Sequence, residues 1–188
     1  MILSDKGIEK LLEEKQIDVS PLDINLVGPS GLDMRLGYQM RVFKEDSDVE
    51  HLNPFDPASE HATELVEPED GRFIIEPGQV VLASTLERIE LPEHLVARLE
   101  SRSSLTRLGL VILGTSGSVE PGFRGHLTIP IINTGKLPIL MYPEMCFCKL
   151  AFETMSTKAA TPYYARESSK YVDQKGPVAS RLHMEKKE

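Results

Sequence analysis

The sequence has little cysteine, no tryptophan and no long apolar run. The two cysteines of the 188-residue chain, Cys146 and Cys148, are two apart in a strand pattern, where neighbouring side chains are badly placed to bridge each other. No stretch approaches the ~20 apolar residues that span a membrane. The opening Met-Ile-Leu-Ser-Asp-Lys has no basic region followed by an apolar run, so we expect no signal peptide. These absences predict a reduced, cytoplasmic protein without a membrane partner.

Positive charge is also scarce. The net charge is −8, and residues 44–71 alone contain ten acidic residues and one lysine. The rest of the chain is therefore close to neutral and has no basic face for a nucleic-acid backbone. The acidic segment also holds three prolines and few large apolar residues, which predicts a solvated loop or flap. A nucleotide site would have to come from a few placed cations.

The apolar pattern predicts one mostly-β domain over residues 1–188. A short N-terminal helix is expected, because Ser4 can cap it and Ile8, Leu11 and Leu12 have the spacing of one helical face. Residues 36–42 alternate as a half-buried strand does. Further short strands are predicted at 73–75, 79–84, 95–100, 108–113, 126–132, 138–141 and 145–152, with turn residues between them. Many short strands without a long helix favour an all-β barrel or sandwich.

The densest polar cluster follows one of these strands. Residues 100–109, Glu-Ser-Arg-Ser-Ser-Leu-Thr-Arg-Leu-Gly, combine two arginines with three serines and a threonine. Arginine presents a rigid fork of donors for phosphate oxygens, and serine hydroxyls can complete such a cradle. On its own this cluster is weak support for a phosphate site, because turns rich in serine and arginine are common.

Four segments together resemble the dCTP deaminase/dUTPase family. Residues 102–109 resemble its arginine-serine-serine motif, and Gly-Leu-Asp-Met-Arg-Leu-Gly at 31–37 resembles its first motif. Residues 114–125, Gly-Thr-Ser-Gly-Ser-Val-Glu-Pro-Gly-Phe-Arg-Gly, resemble its sugar- and base-binding hairpin. Residues 169–177, with Ala-Ser-Arg at 179–181, resemble its C-terminal lid. The match covers essentially the whole chain, and residues 156–188 are accordingly expected to form a lid or tail.

The resemblance implies a distorted, dUTPase-like β-barrel or jelly-roll in a homotrimer, with sites at the subunit interfaces. The triphosphate would carry its own Mg²⁺, with no metal site in the protein. The implied catalytic residues are Glu120, Arg107 and Ser103. The implied substrate-binding residues are Arg102, Ser103, Ser104, Arg107, Thr115, Ser116, Gly117, Glu120, Tyr163, Lys170 and Gln174. Asp33 in the first motif could equally just bond to its own turn.

Two positions depart from the family pattern. Glu120 stands where the family has an aspartate beside the deoxyribose, and Pro130 stands where deaminating members carry a proton-shuttling glutamate. Proline cannot transfer a proton, and a lost acid/base group typically costs ~10²- to 10⁴-fold in rate. The histidines show no ligand spacing, and Cys146-Phe147-Cys148 lacks the elements of a zinc deaminase.

These departures order three functional hypotheses. The favoured one is a dUTP diphosphatase that releases dUMP and pyrophosphate, because that reaction does not need the deaminase glutamate in the same way. The second is a dCTP deaminase that works despite Pro130. The third is a nucleotide-binding or regulatory trimer with little catalysis, which senses dUTP, dCTP or dTTP, the last also being a candidate inhibitor.

Overall fold

The protein is described by a computed structural model that covers residues 1–44, 50–113 and 118–185. Its elements follow the sequence as α1 (Asp5–Glu13), β1 (Asp18–Ser20), β2 (Val27–Gly28), β3 (Gly31–Phe43), β4 (Thr63–Val66), β5 (Phe73–Ile75), β6 (Val80–Glu90), β7 (Leu95–Ser101), α2 (Ser103–Thr106), β8 (Leu110–Ile112), β9 (Ser118–Val119), β10 (Arg124–Asn133), β11 (Ile139–Met141) and β12 (Cys146–Thr154). Short 3₁₀ helices lie at Ile24–Leu26, Pro57–Ala62, Tyr163–Ala165 and Leu182–Met184. The prediction of a mostly-β fold with a short N-terminal helix is confirmed.

One large antiparallel sheet organises the described part of the chain. Its strand order is β8-β10-β6-β3-β12-β7-β9, with β1 added to β6 and with β2 and β4 added to β3. The strands β5 and β11 form a separate pair. The sheet curls around a core of aliphatic and phenylalanine side chains, of which Phe147 and Phe152 are the largest fully buried members. Alternation along β10 sends Ile129 and Ile131 into this core and leaves Thr128 and Pro130 on the other face.

The N-terminal helix begins as the sequence predicts. The hydroxyl of Ser4 accepts a hydrogen bond from the Gly7 amide at 3.4 Å, and Ile8 and Leu12 are buried. No helix within the described residues is long and apolar enough to cross a membrane.

The acidic segment contains more structure than the predicted loop. Residues 45–49 lie outside the described residues, but Pro57–Ala62 forms a 3₁₀ helix and β4 pairs with β3, with Val66 opposite Met40. Ala62 and Thr63 are buried. The expectation of a solvated loop therefore needs correction over residues 57–66, because these less polar positions pack against the long strand β3.

Candidate functional site

The arginine–serine turn, residues 101–107, begins at the end of β7 and contains the single-turn helix α2. Arg102 occupies the N-cap position, and its carbonyl oxygen accepts hydrogen bonds from the amides of Leu105 and Thr106 at 3.0 and 3.2 Å. A small surface pocket of about 330 Å³ is lined by Ser101, Ser103, Thr106 and Arg107. Ser103 and Arg107 thus share one open surface, whereas Leu105 turns into the core.

The Arg102 guanidinium is held by two other strands. Its Nη1 lies 3.5 Å from Asp33 Oδ2 and donates to the Cys146 carbonyl oxygen at 3.4 Å. Asp33 belongs to β3, where it is paired in register with Lys149. The structure therefore does not bear out the alternative that Asp33 only bonds to its own turn.

Arg35 of the first motif forms an ion pair with the buried residue Glu87. Glu87 accepts hydrogen bonds from the backbone N and the Nε of Arg35, at 2.9 and 2.6 Å, and its side chain is only 2% exposed. The side-chain hydrogen bond to Glu87 raises the pKa of Arg35. Sequence reasoning missed Glu87. The sequence did contain a sign of it: Glu87 is a carboxylate on β6 that alternates in step with the buried residues Ala83 and Ile89.

The two cysteines next to this network are free thiols. Burial is the main cause that raises the pKa of Cys146, and it raises the pKa of the fully enclosed Cys148 much further. Thiols with raised pKa values are protonated at neutral pH and are poor nucleophiles. Both thiols are therefore poorly suited to act as nucleophiles.

The large cavity has a volume of about 1100 Å³ and lies between β10, the acidic segment and the C-terminal segment, which comprises residues 156–185 of the described chain. It brings together four of the residues predicted for the site, namely Glu120, Tyr163, Lys170 and Gln174. The charged side chains that line it are the acids Asp56, Glu60, Glu120 and Glu185 and the bases Arg166 and Lys170. Among the described residues the cavity wall therefore carries more negative than positive charge.

The C-terminal segment closes one side of this cavity by docking on the hairpin and β10. The Tyr163 amide donates to the Pro121 carbonyl at 2.8 Å, and the centroids of the Tyr163 and Phe123 rings lie 5.7 Å apart. Further along, Gln174 donates through Nε2 to the His126 carbonyl at 2.5 Å. These contacts hold the segment that the sequence predicts to be a lid.

Glycine at position 125 makes that docking possible. Its φ is +139°, and a Cβ there would lie 3.0 Å from the Gln174 backbone nitrogen. The backbones of Gly125 and Gln174 pair as a parallel bridge. Any larger residue would push the C-terminal segment away from β10.

Pro130 lines the same cavity in the middle of β10. It lies opposite Leu82 of β6, and its carbonyl oxygen accepts a hydrogen bond from the Leu113 amide at 2.9 Å. Thr128, two residues away on the same face, accepts a hydrogen bond from the Val178 amide at 3.2 Å. This stretch of the wall therefore offers no titratable side chain, and the flanking residues Ile129 and Ile131 are buried in the core.

Not every predicted site residue reaches the large cavity. Arg102, Ser103, Ser104 and Arg107 are absent from its described lining, and they lie instead in the arginine–serine turn. Thr115, Ser116 and Gly117 lie outside the described residues. Within residues 1–44, 50–113 and 118–185, no group of three or more histidine, cysteine or acidic side chains is placed to hold a metal ion.

Comparison with known proteins gives a consistent picture. Residues 2–155 match a family model described as dCTP deaminase-like. The chain is 42% identical over 188 residues to a protein of Dictyoglomus thermophilum named "dCTP deaminase, dUMP-forming", covering 98% of this chain and 96% of that one. A protein of Corynebacterium kroppenstedtii with the same name is 44% identical over 186 residues, covering 98% of each chain.

A solved structure supports the fold assignment independently. The 2′-deoxycytidine 5′-triphosphate deaminase from Agrobacterium tumefaciens superimposes with a TM-score of 0.63 at 22% sequence identity. The superposition covers 81% of this chain and 48% of that longer chain. At this identity the likeness shows a shared fold.

Proposed function

Because the chain belongs to the dCTP deaminase-like family, we propose that it hydrolyses the magnesium complex of dUTP to dUMP and pyrophosphate. The observation that carries this proposal is the contrast along one cavity wall. Glu120 brings a carboxylate to the cavity, whereas Pro130 occupies the position that the family resemblance assigns to the deaminase glutamate. The protein thus retains a group suited to activating water and lacks the group expected to shuttle protons at the base.

The proposed reaction is the attack of water on the α-phosphorus. The bond between the α-phosphorus and the α,β-bridging oxygen breaks, pyrophosphate leaves, and Glu120 takes a proton from the attacking water. General-base assistance of this kind typically contributes ~10²- to 10⁴-fold in rate. Arg102, Ser103, Ser104 and Arg107 would donate to phosphate oxygens and stabilise the charge that develops on them.

The site would be completed by a second copy of the chain. A triphosphate needs several cations, but the described lining of the large cavity has more carboxylates than bases and does not include Arg102 or Arg107. In a closed homo-oligomer the arginine–serine turn of one subunit can face the cavity of its neighbour. We therefore predict a homotrimer in solution. A monomeric mass by light scattering, with Mg²⁺ and nucleotide present, would contradict this shared site.

The second candidate is deamination of dCTP that proceeds on to dUMP. It is favoured by the relatives that are 40–44% identical to the chain and named "dCTP deaminase, dUMP-forming". For this chain it would require another residue to replace the expected glutamate. The carboxylates that line the cavity besides Glu120 are Asp56, Glu60 and Glu185, and none of them belongs to β10.

One assay separates the candidates. Purified protein is incubated with Mg²⁺ and either dUTP or dCTP, and the products dUTP, dUMP and pyrophosphate are resolved by chromatography. The proposal predicts dUMP and pyrophosphate from dUTP and unchanged dCTP. Conversion of dCTP would support the deaminase, and binding of both nucleotides without turnover would support a regulatory protein.

A further inference from the structure

The ammonium group of Lys170 is bound to a carboxylate of its own segment. Lys170 Nζ forms an ion pair with Glu185, and the lysine side chain is only 17% exposed. Both residues line the large cavity. A cation that the family resemblance assigns to the phosphates is therefore already neutralised by the chain itself.

Arg181 helps to keep the two partners close. Its Nη1 donates to the Lys170 carbonyl oxygen at 2.8 Å, and its backbone amide donates to the Tyr171 hydroxyl at 3.0 Å. The 3₁₀ helix at Leu182–Met184 then returns the chain, and the Glu185 amide donates to the Leu182 carbonyl oxygen at 2.9 Å. This return places Glu185 within reach of Lys170.

Two polar side-chain atoms of the same segment, unlike the Lys170 ammonium, have no partner among the described residues. Ser169 Oγ and Gln174 Oε1 are buried and have no hydrogen-bond partner within the described part of the chain, and both residues line the cavity. A buried polar atom without a hydrogen-bond partner is unfavourable, because it has lost its water and gained nothing in exchange. The Ser169 hydroxyl can donate to a phosphate oxygen, whereas Gln174 Oε1 only accepts and would need a donor group of a ligand, such as a hydroxyl.

On the basis of the proposed function, we propose that Glu185 competes with the phosphates of the substrate for Lys170. Carboxylate and phosphate oxygens are alternative acceptors for an ammonium group. A triphosphate that is also anchored elsewhere in the site can displace a single carboxylate, and Glu185 recaptures Lys170 when the phosphates leave. Glu185 is thus a residue that sets the affinity of the site for polyphosphates, without contacting the reacting atoms.

The test is an equilibrium titration that needs no turnover. Isothermal calorimetry measures the Kd of inorganic tripolyphosphate, and of a non-hydrolysable α,β-imido analogue of dUTP, with Mg²⁺ present. Removal of a partly exposed competing charge should tighten binding about two- to fivefold in Glu185→Gln. Glu167→Gln is the matched control, because Glu167 is an exposed acid three residues from Lys170 that does not line the cavity.

A double-substitution cycle assigns the effect to Lys170. The Glu185→Gln gain should disappear when Lys170 is already replaced by glutamine. Unchanged or weaker binding in Glu185→Gln, an equal gain in Glu167→Gln, or a gain that persists without Lys170 would each overturn the proposal. If the exchange is observed in a protein that leaves dUTP intact, the competition stands and the diphosphatase proposal fails.

Discussion

The large cavity and the arginine–serine turn differ in charge and in shape. The cavity encloses about 1100 Å³ and is lined by four carboxylates and two bases, whereas the turn borders an open pocket of about 330 Å³ with Arg107 and hydroxyl groups around it. Under the proposed function, the cavity would hold the base and sugar and activate water, and the turn would neutralise phosphates. Each surface alone would then be half of a triphosphate site, so substitutions in the two regions should affect different steps.

Glu120→Gln is expected to have the largest effect, because it removes the proposed general base from the cavity. kcat for dUTP should fall by ~10²- to 10⁴-fold, while KM changes little. Steady-state kinetics of pyrophosphate release measures both constants. Glu60→Gln is the control, since it removes another carboxylate from the same cavity and should leave kcat within about threefold. An equal fall in both variants would mean that charge, rather than the position of Glu120, matters.

Removal of the C-terminal segment before Ser169 is expected to have the next largest effect. It deletes Lys170 and Gln174, one charged and one neutral contact together worth about 2–4.5 kcal/mol, so kcat/KM should fall by about 30- to 2000-fold. Circular dichroism and light scattering should show an intact fold, because the truncation leaves β1 to β12 in place. Normal turnover by the shortened chain would show that this segment is not a lid.

Arg102→Ala should weaken triphosphate binding more than it lowers the rate of the chemical step. Loss of one charge-assisted contact to phosphate costs about 1.5–3 kcal/mol, which weakens triphosphate binding by about 10- to 100-fold and weakens dUMP binding less. Arg98→Ala is the matched control, because Arg98 lies on β7, four residues before Arg102, and pairs with Glu153. Equal losses for dUTP and dUMP would show that Arg102 supports the fold or the base pocket.

Much of the fold could be predicted from the sequence, because alternation is strong where one face of a strand is buried. The strands β7, β10, β11 and β12 begin and end within about two residues of their predicted limits. The long strand β3 was predicted only from residue 36, although Leu32 and Met34 continue the buried parity of Leu36. β4 was missed because charged neighbours obscure its pairing with β3.

The candidate site was less predictable, because its geometry depends on contacts between distant segments. The family resemblance assigned Glu120, Tyr163, Lys170 and Gln174 to the site, and the structure brings them to one cavity. The partners of the polar groups could not be read from the sequence. Glu87 pairs with Arg35, which is 52 positions away in the sequence, and Glu185 pairs with Lys170, which is 15 positions away. No local sequence pattern predicts either contact.

The most direct test of the central claim is the release of ammonia from dCTP, measured for the unmodified protein and for Pro130→Glu. Deamination must deprotonate a water and protonate both the ring nitrogen and the departing amine, and Pro130 supplies no group for these transfers. We predict no ammonia from the unmodified protein under conditions in which it converts dUTP to dUMP. A trace of ammonia is expected from Pro130→Glu. Robust conversion of dCTP to dUTP or dUMP by the unmodified protein would contradict the account.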